Sequence, residues 1–379
     1  MPLTDGCPYQ NRDEHEMKVG FNARLLAYSN LRGWNRYTVN LLAQLPALGI
    51  RPILYGEEPL HPSHLTRLQA GSYEVRIRTV RPYTLWEQVW LPFQCARDGV
   101  SLLHAPANFG LPRMSRCPRV LTLHDAVGPG TSLRSRIFHA TARECAHRVI
   151  TVSEHAREEI VARLGVTEAR IRVIPEAADP NFSRPVTAED RQRVRNRYAI
   201  TAPYFFYVGG WEDRKNLPFL LEAFKAADVP GVKIVVAGGL EDERLRLLYA
   251  EALGDRLHLL GWIEEPDLPA LYAESLAFVY PSKHEGFGLQ LCEAMAVGCP
   301  ILAARATSLP EVLGDGGLTF SLDATDELVV YLRRVANDSG FREALITRSR
   351  SRSTDFSWRK AAEATVAVYK EVVQASSSS

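Results

Sequence analysis

The sequence predicts an α/β protein of two doubly wound, mostly parallel sheets, and three observations carry that prediction. Its 379 residues exceed what one hydrophobic core usually serves. Short apolar runs of strand character alternate with stretches of helical spacing along most of the chain. The alternation lapses once, at "VIPEAADPNFSRPVTAED" (residues 173–190), where Pro, Ala, Asp and Asn read as a linker with the domain boundary near Arg184.

Residues 1–16 show no apolar rhythm and read as a disordered leader; the first strand is "KVGFNARLL". Tyr37, Leu41, Leu42 and Leu45 then recur at helical spacing after a glycine, and "RPILYG" follows as a strand, which completes a βαβ unit. The strand "YEVRIRTV", a helix through "LWEQVWLPFQCARD", the strands "SLLHAP" and "RVLTLHD", a helix near "SLRSRIFHATARECAHR" and the strand "RVITVS" finish the first block, residues 17–184. Residues 185–357 repeat the alternation, with strands at "YFFYVGG", "KIVVAGG", "LHLLG", "AFVYPS" and "PILAA" separated by helical stretches. Helical patterns close the chain at about 324–337, 340–352 and 358–375. In sheets of this kind ligands sit beyond the carboxyl ends of the strands.

Charge is balanced, with 45 Lys and Arg against 44 Asp and Glu, so global electrostatics points to neither a nucleic-acid nor a membrane partner and recognition must be local. The six cysteines form no Cys-x-x-Cys pair and no zinc-ligand spacing, as in a reduced cytoplasmic protein. No apolar run approaches the ~20 residues of a membrane span, and the first residues lack the apolar stretch of a signal peptide.

The segment "KHEGFGLQLCEAMAVGCP" (residues 283–300) places Glu285 and Glu293 eight positions apart around a glycine turn. Gly286 and Gly288 feed a helix from about Leu289 to Val297, capped by Gly298. The first amides of such a helix, with the positive end of its dipole, suit a phosphate. Both acids stand beside that anion, where carboxylates can accept hydrogen bonds from sugar hydroxyls. Taken singly, each reads more readily as a solvated acid, Glu293 on a surface helix and Glu285 in a turn. In "YVGGWEDRKNLPFLLEAF" Arg214 and Lys215 precede a helix, a pairing that suits a diphosphate or a solvated loop with Asn216 as cap.

These segments together resemble the GT-B retaining glycosyltransferases of family 4, through "RKN", "EGFGLQLCEAMAVGCPI" and "SLPEVLGDGG" in the second block. In the first block "GWNRYTVNLL" resembles the family's glycine loop, "LTLHDAVG" its acceptor-side histidine segment, and "TVSEHAREEI" and "VIPEAAD" the passage to the linker. The resemblance implies two Rossmann-like domains facing a cleft, with the last helix crossing back to the first. It implies transfer of a hexose from a nucleoside-diphosphate sugar to a hydroxyl of a glycan, glycolipid or small-molecule acceptor. GDP-mannose stands ahead of UDP-linked hexoses, and no metal or other cofactor is expected. Arg214 and Lys215 would bind the diphosphate, Glu293 the ribose, and Glu285 with the amides of Gly286, Phe287, Gly288 and Leu289 the sugar and phosphate. Gly33 would admit the pyrophosphate from the other domain, His124 would face the sugar, and backbone at Trp262 and Ile263 would meet the base.

Three positions depart from the family pattern: Asn35 replaces a second glycine, Gly210 a larger residue, and His284 a frequent aromatic. Asp125 could orient the His124 ring or cap the next loop, and His104 is a second, weaker candidate for the cleft. Trp86 and Trp90 read as core. Arg134, Arg136, Arg143 and Arg148 give the helix after His124 a basic face, either solvated or set against an anionic acceptor or the inner face of a membrane. The alternatives to transfer are a nucleotide-sugar epimerase of the same fold, for which no acid–base set is visible, and a binding module without chemistry.

Overall fold

The structure is a computed structural model, described for residues 16–28, 33–68, 73–126, 140–239 and 243–377. Two sheets form, and every strand pair in both is parallel. The first contains β1 (Met17–Asn22), β2 (Ile50–Gly56), β3 (Glu74–Ile77), β4 (Leu102–Ala105), β5 (Arg119–Leu123), β6 (Arg148–Thr151) and β7 (Ile171–Val173), in the order β3-β2-β1-β4-β5-β6-β7. The second contains β8 (Tyr204–Val208), β9 (Lys233–Ala237), β10 (Leu257–Gly261), β11 (Ala277–Tyr280), β12 (Ile301–Ala304) and β13 (Leu318–Phe320), in the order β10-β9-β8-β11-β12-β13. The order reverses beside β1 in one sheet and beside β8 in the other, and a crevice opens at such a switch point beyond the strand ends. The central strands β4 and β11 are buried along their whole length, as parallel strands covered on both faces must be.

Between the sheets, Phe182 of the linker already packs in the core of the second, and the helix Ala188–Arg197 begins at a capping box formed by Thr187 and Asp190. The helices Asp326–Asn337 and Ser339–Ser353 follow β13. The last helix, Trp358–Ser377, returns to the first sheet, where Trp358, Ala362, Val366, Tyr369 and Val372 share a cluster with Val19, Phe21, Leu41 and Leu42. Its Trp358 indole N–H donates to the Ala178 carbonyl in the linker at 3.0 Å.

That return explains a correction. His104, read from its strand-end position as a cleft candidate, is fully buried between the sheet and the last helix. Its Nδ1 lies 2.6 Å from the Tyr369 hydroxyl and its Nε2 2.8 Å from Thr122 Oγ1, and burial, reinforced by His124, pushes the imidazole down to about 3. It is a neutral core histidine. Trp86 is buried against Trp90, in the cluster that holds Ile53 and Tyr55.

Most of the helix expected between His124 and β6 lies outside the described residues, Arg134 and Arg136 included. Arg143 is half exposed, and Arg148 pairs with Glu371 at 2.6 Å. Among the described residues no helix is long and apolar enough to cross a membrane.

Tyr369→Phe leaves a buried ring nitrogen of His104 without its partner, so it should cost about 1–3 kcal/mol of unfolding free energy, read as a lower urea midpoint with unchanged slope. An unchanged midpoint would mean that the apolar face alone docks this helix.

Candidate functional site

The loop after β11 is built around Gly288, whose φ of +95° suits glycine and sets the direction of the helix Leu289–Val297. Hydroxyls pin its carbonyls: Ser308 Oγ donates to Glu285 O at 2.9 Å and Phe287 O at 3.0 Å, and Ser153 Oγ of the first domain donates to Gly286 O at 2.6 Å. Gly286 touches the end of β5, and a Cβ there would overlap the His124 carbonyl oxygen. Only glycine lets the two domains meet at this point.

Arg214 and Lys215 sit in a single turn after β8 and converge on Glu285. Lys215 Nζ lies 2.6 Å and Arg214 Nη1 3.2 Å from Glu285 Oε1, which Ser282 Oγ also reaches at 2.7 Å. Burial would raise the Glu285 carboxyl, but Lys215 and then Arg214 hold it below the ordinary carboxylate range. Lys215 is only 6% exposed, and its Nζ also meets the Tyr280 hydroxyl at 3.2 Å. The cluster is therefore ionic: two cations and one carboxylate beside the amino end of a helix.

Glu293 lies one turn into the helix Leu289–Val297, 1% exposed. Arg36, on the helix Gly33–Gln44 of the first domain, reaches across to it, and Tyr272 donates to Glu293 Oε2 at 3.3 Å. Arg36 also lies 3.5 Å from Glu265, which Arg67 contacts at 3.3 Å. Burial pushes the Glu293 carboxyl up to about 7, against the pull of Arg36.

His124 is 7% exposed, and its ring points into the first domain. Glu176 Oε1 lies 2.8 Å from Nδ1 and the Pro106 carbonyl 3.1 Å from Nε2, while Trp34 stacks on the ring and Tyr37 meets it edge-on. Glu176, not Asp125, orients this histidine. The Asp125 carboxylate instead accepts from Asn108 Nδ2 at 2.7 Å, because adjacent residues at a strand end point to opposite sides.

Gly33 starts its helix in open space, and Asn35 is buried with its amide donating to Leu25 O at 3.3 Å. Gly210 packs against the Glu212 side chain. Trp262 is 78% exposed and Ile263 half-buried past the end of β10, at the sheet edge. The structure thus gathers Arg214, Lys215, Glu285, the Gly286–Leu289 turn and the His124 backbone in one place, with Glu293 facing Arg36 beside it. Trp262 lies against Gly239, just past the end of β9. Sequence reading missed Arg36, Glu176 and Tyr272; the signal for Arg36 was its place one helical turn after Gly33.

A family model described as Glycosyltransferase Family 4 matches residues 31–182, and one described as Glycosyl transferases group 1 matches residues 189–352. The chain is 30% identical over 289 residues to the O-antigen chain mannosyltransferase B of Escherichia coli, covering 72% of this chain and 75% of the relative. It is 27% identical over 242 residues to the serotype-specific mannosyltransferase WbdA of the same organism, 62% of this chain but only 30% of that longer relative. In fold it resembles Anabaena Alr3699/HepE in complex with UDP and glucose, with a TM-score of 0.76 at 18% identity over 94% of this chain and 100% of the other. It also resembles WaaG, a glycosyltransferase involved in lipopolysaccharide biosynthesis, with a TM-score of 0.69 at 16% identity over 93% of this chain and 99% of the other.

The raised Glu293 carboxyl carries a pH signature. The folded chain binds this proton more tightly than the unfolded one, so the stability it contributes is full below about 4.5 and is lost as the pH rises towards about 7. Urea unfolding should show Glu293→Gln gaining on the wild type between pH 5 and 8, by on the order of a few kcal/mol. A constant difference over that range would show that Glu293 titrates alike in both states.

Proposed function

The chain belongs to the group 1, family 4 glycosyltransferases and has their GT-B fold, and from that premise we propose that it moves a hexose, mannose foremost, from a nucleoside-diphosphate sugar such as GDP-mannose to a hydroxyl of a glycan or glycolipid, retaining the anomeric configuration and using no metal. The observation that carries this reading is the convergence of Arg214, Lys215 and Glu285 at the amino end of the helix Leu289–Val297.

In this reading Arg214 and Lys215 take the diphosphate together with the amides of the Gly286–Leu289 turn, and Glu285 turns to the sugar hydroxyls. As the bond from the anomeric carbon to the phosphate oxygen breaks, negative charge grows on the departing diphosphate, and fixed cations and amides stabilise it there. The acceptor oxygen bonds to the same face of the carbon, and its proton passes to the leaving phosphate oxygen, so no protein nucleophile is required. Glu293 accepts ribose hydroxyls when Arg36 releases it. His124, held by Glu176 and Pro106, positions the strand end that meets Gly286. Backbone near Trp262 and Ile263 meets the base when the domains close. Mannose is supported by the names of the relatives. Metal independence is supported by the cations already at the site and by the lack of any Asp-x-Asp in the sequence. A cytoplasmic location, with peripheral contact at the inner membrane face through the basic segment after His124, belongs to the same reading.

A transfer assay with GDP-mannose and UDP-hexoses, the product anomer assigned by NMR, tests the function. Three variants test the roles. Arg214→Ala should lower turnover by about 10²–10³-fold and weaken nucleoside-diphosphate binding. Glu285→Gln should lower turnover while leaving nucleoside-diphosphate affinity equal or higher, because it frees two cations from their carboxylate. Glu293→Ala should weaken the bare nucleoside diphosphate and the sugar donor alike. Wild-type behaviour of both glutamate variants would remove the acids from the donor site.

Turnover of the chelator-treated protein should not rise when magnesium or manganese is added. A collapse in chelator that magnesium or manganese restores would reject the purely protein-based handling of the diphosphate.

A further inference from the structure

A second cluster of chemistry-bearing side chains lies on the outer side of the donor loop, where the domains touch. His155 and Glu159 stand one turn apart on the helix Glu154–Glu159 that follows β6, and His284 comes from the second domain, one residue before Glu285. One ligand atom from each lies within 4.8 Å of the others. Glu159 Oε2 is already 3.0 Å from His284 Nε2, and the two imidazole rings meet edge to face with centroids 6.4 Å apart. His155 Nε2 is enclosed and has no hydrogen-bond partner among the described residues. An enclosed ring nitrogen without a partner is costly unless something else binds it.

We propose that His155, Glu159 and His284 form a divalent-metal site, suited to zinc, that ties the two domains together beside the donor loop. Two imidazole nitrogens and one carboxylate are the donor set of a three-ligand zinc site with a fourth position open to water, whereas calcium and magnesium favour all-oxygen sets. Tetrahedral ligands at ~2.1 Å from zinc stand about 3.4 Å from one another, so modest side-chain rotations from the present spacing complete the site. The other oxygen of Glu159 meets Arg163 at 3.2 Å, which orients the carboxylate towards the histidines.

The surrounding contacts fix the partners across the domain boundary. Ser153 Oγ bonds Gly286 O at 2.6 Å, and the Glu311 carboxylate of the second domain accepts from the Glu154 and His155 amides at 2.9 and 3.3 Å. From His284 the linkage runs inward, because Ser282 Oγ bonds both His284 O at 3.3 Å and Glu285 Oε1 at 2.7 Å. A metal bound only when the domains are together favours the closed arrangement by mass action. It also holds the Glu285 loop against the first domain.

The full chain, stripped with chelator and dialysed, is titrated with zinc chloride by calorimetry. One zinc per chain is expected, and His155→Ala, Glu159→Gln and His284→Phe should each weaken it by at least about tenfold. Small-angle scattering should show zinc shrinking the wild type and leaving His284→Phe unchanged. Circular dichroism checks that each variant is folded, and His155→Asn replaces His155→Ala if that variant is not. No zinc binding, binding indifferent to all three substitutions, or binding that survives His284→Phe would each overturn the bridging site. None of these readouts depends on the donor assignment.

Discussion

A buried cation must have a counter-charge, and the candidate site is organised by how Lys215 obtains one. Lys215 is almost wholly enclosed in the turn after β8, and among the described residues the only carboxylate it contacts is Glu285, from the loop after β11. The requirement ties two loops at the switch point of the sheet and fixes the turn that opens the helix Leu289–Val297. Such a pair adds little net stability, because taking both ions from water costs about as much as their attraction returns. In the proposed reading its effect is on binding. With Arg214 beside it, two positive charges face one negative, and the helix terminus adds about half a charge more. The surplus is positive where the proposed diphosphate would lie.

The second constraint is that, beside the apolar contacts of Val152 and Phe356, the domains meet through polar groups. Arg36 with Glu293, Ser153 with Gly286, and Glu311 with two amides of a first-domain helix are bonds that water or ligand groups can replace without exposing an apolar core. Interfaces of this kind permit relative motion of the domains. Glu293 is the sensitive member. It is enclosed enough to hold its proton near neutral pH, and Arg36 is what keeps the carboxylate form accessible. In the proposed reading ribose hydroxyls replace that guanidinium, so donor binding and domain contact would compete for one carboxylate.

The fold was legible because parallel strands buried on both faces read as short apolar runs, of which "YFFYV" and "AFVY" are the clearest, and because helices separate them. The Glu285–Leu289 loop was legible because a glycine turn feeding a helix leaves its mark in the sequence itself. What stayed hidden were partners distant along the chain. Glu293 gives no sign of Arg36, 257 residues away, and His124 gives no sign of Glu176, 52 residues away. His104 misled for a related reason. A strand-end position suggests a site, yet the strand's alternation turns that side chain to the face covered by a helix more than 250 residues later in the chain.

That last helix also determines how the domains can move. The chain passes between them twice, through the linker after β7 and again before Trp358, and the Trp358 bond to Ala178 holds the two passages together. Two adjacent crossings act as a hinge rather than a tether, which leaves rotation of one domain against the other and removes free reorientation. Phe356, in the second crossing, packs on both cores and meets Phe287 edge-on with ring centroids 6.0 Å apart. Phe287 lies inside the turn between Glu285 and the helix Leu289–Val297, so rotation at the hinge bears directly on the loop whose amides and carboxylate form the candidate site.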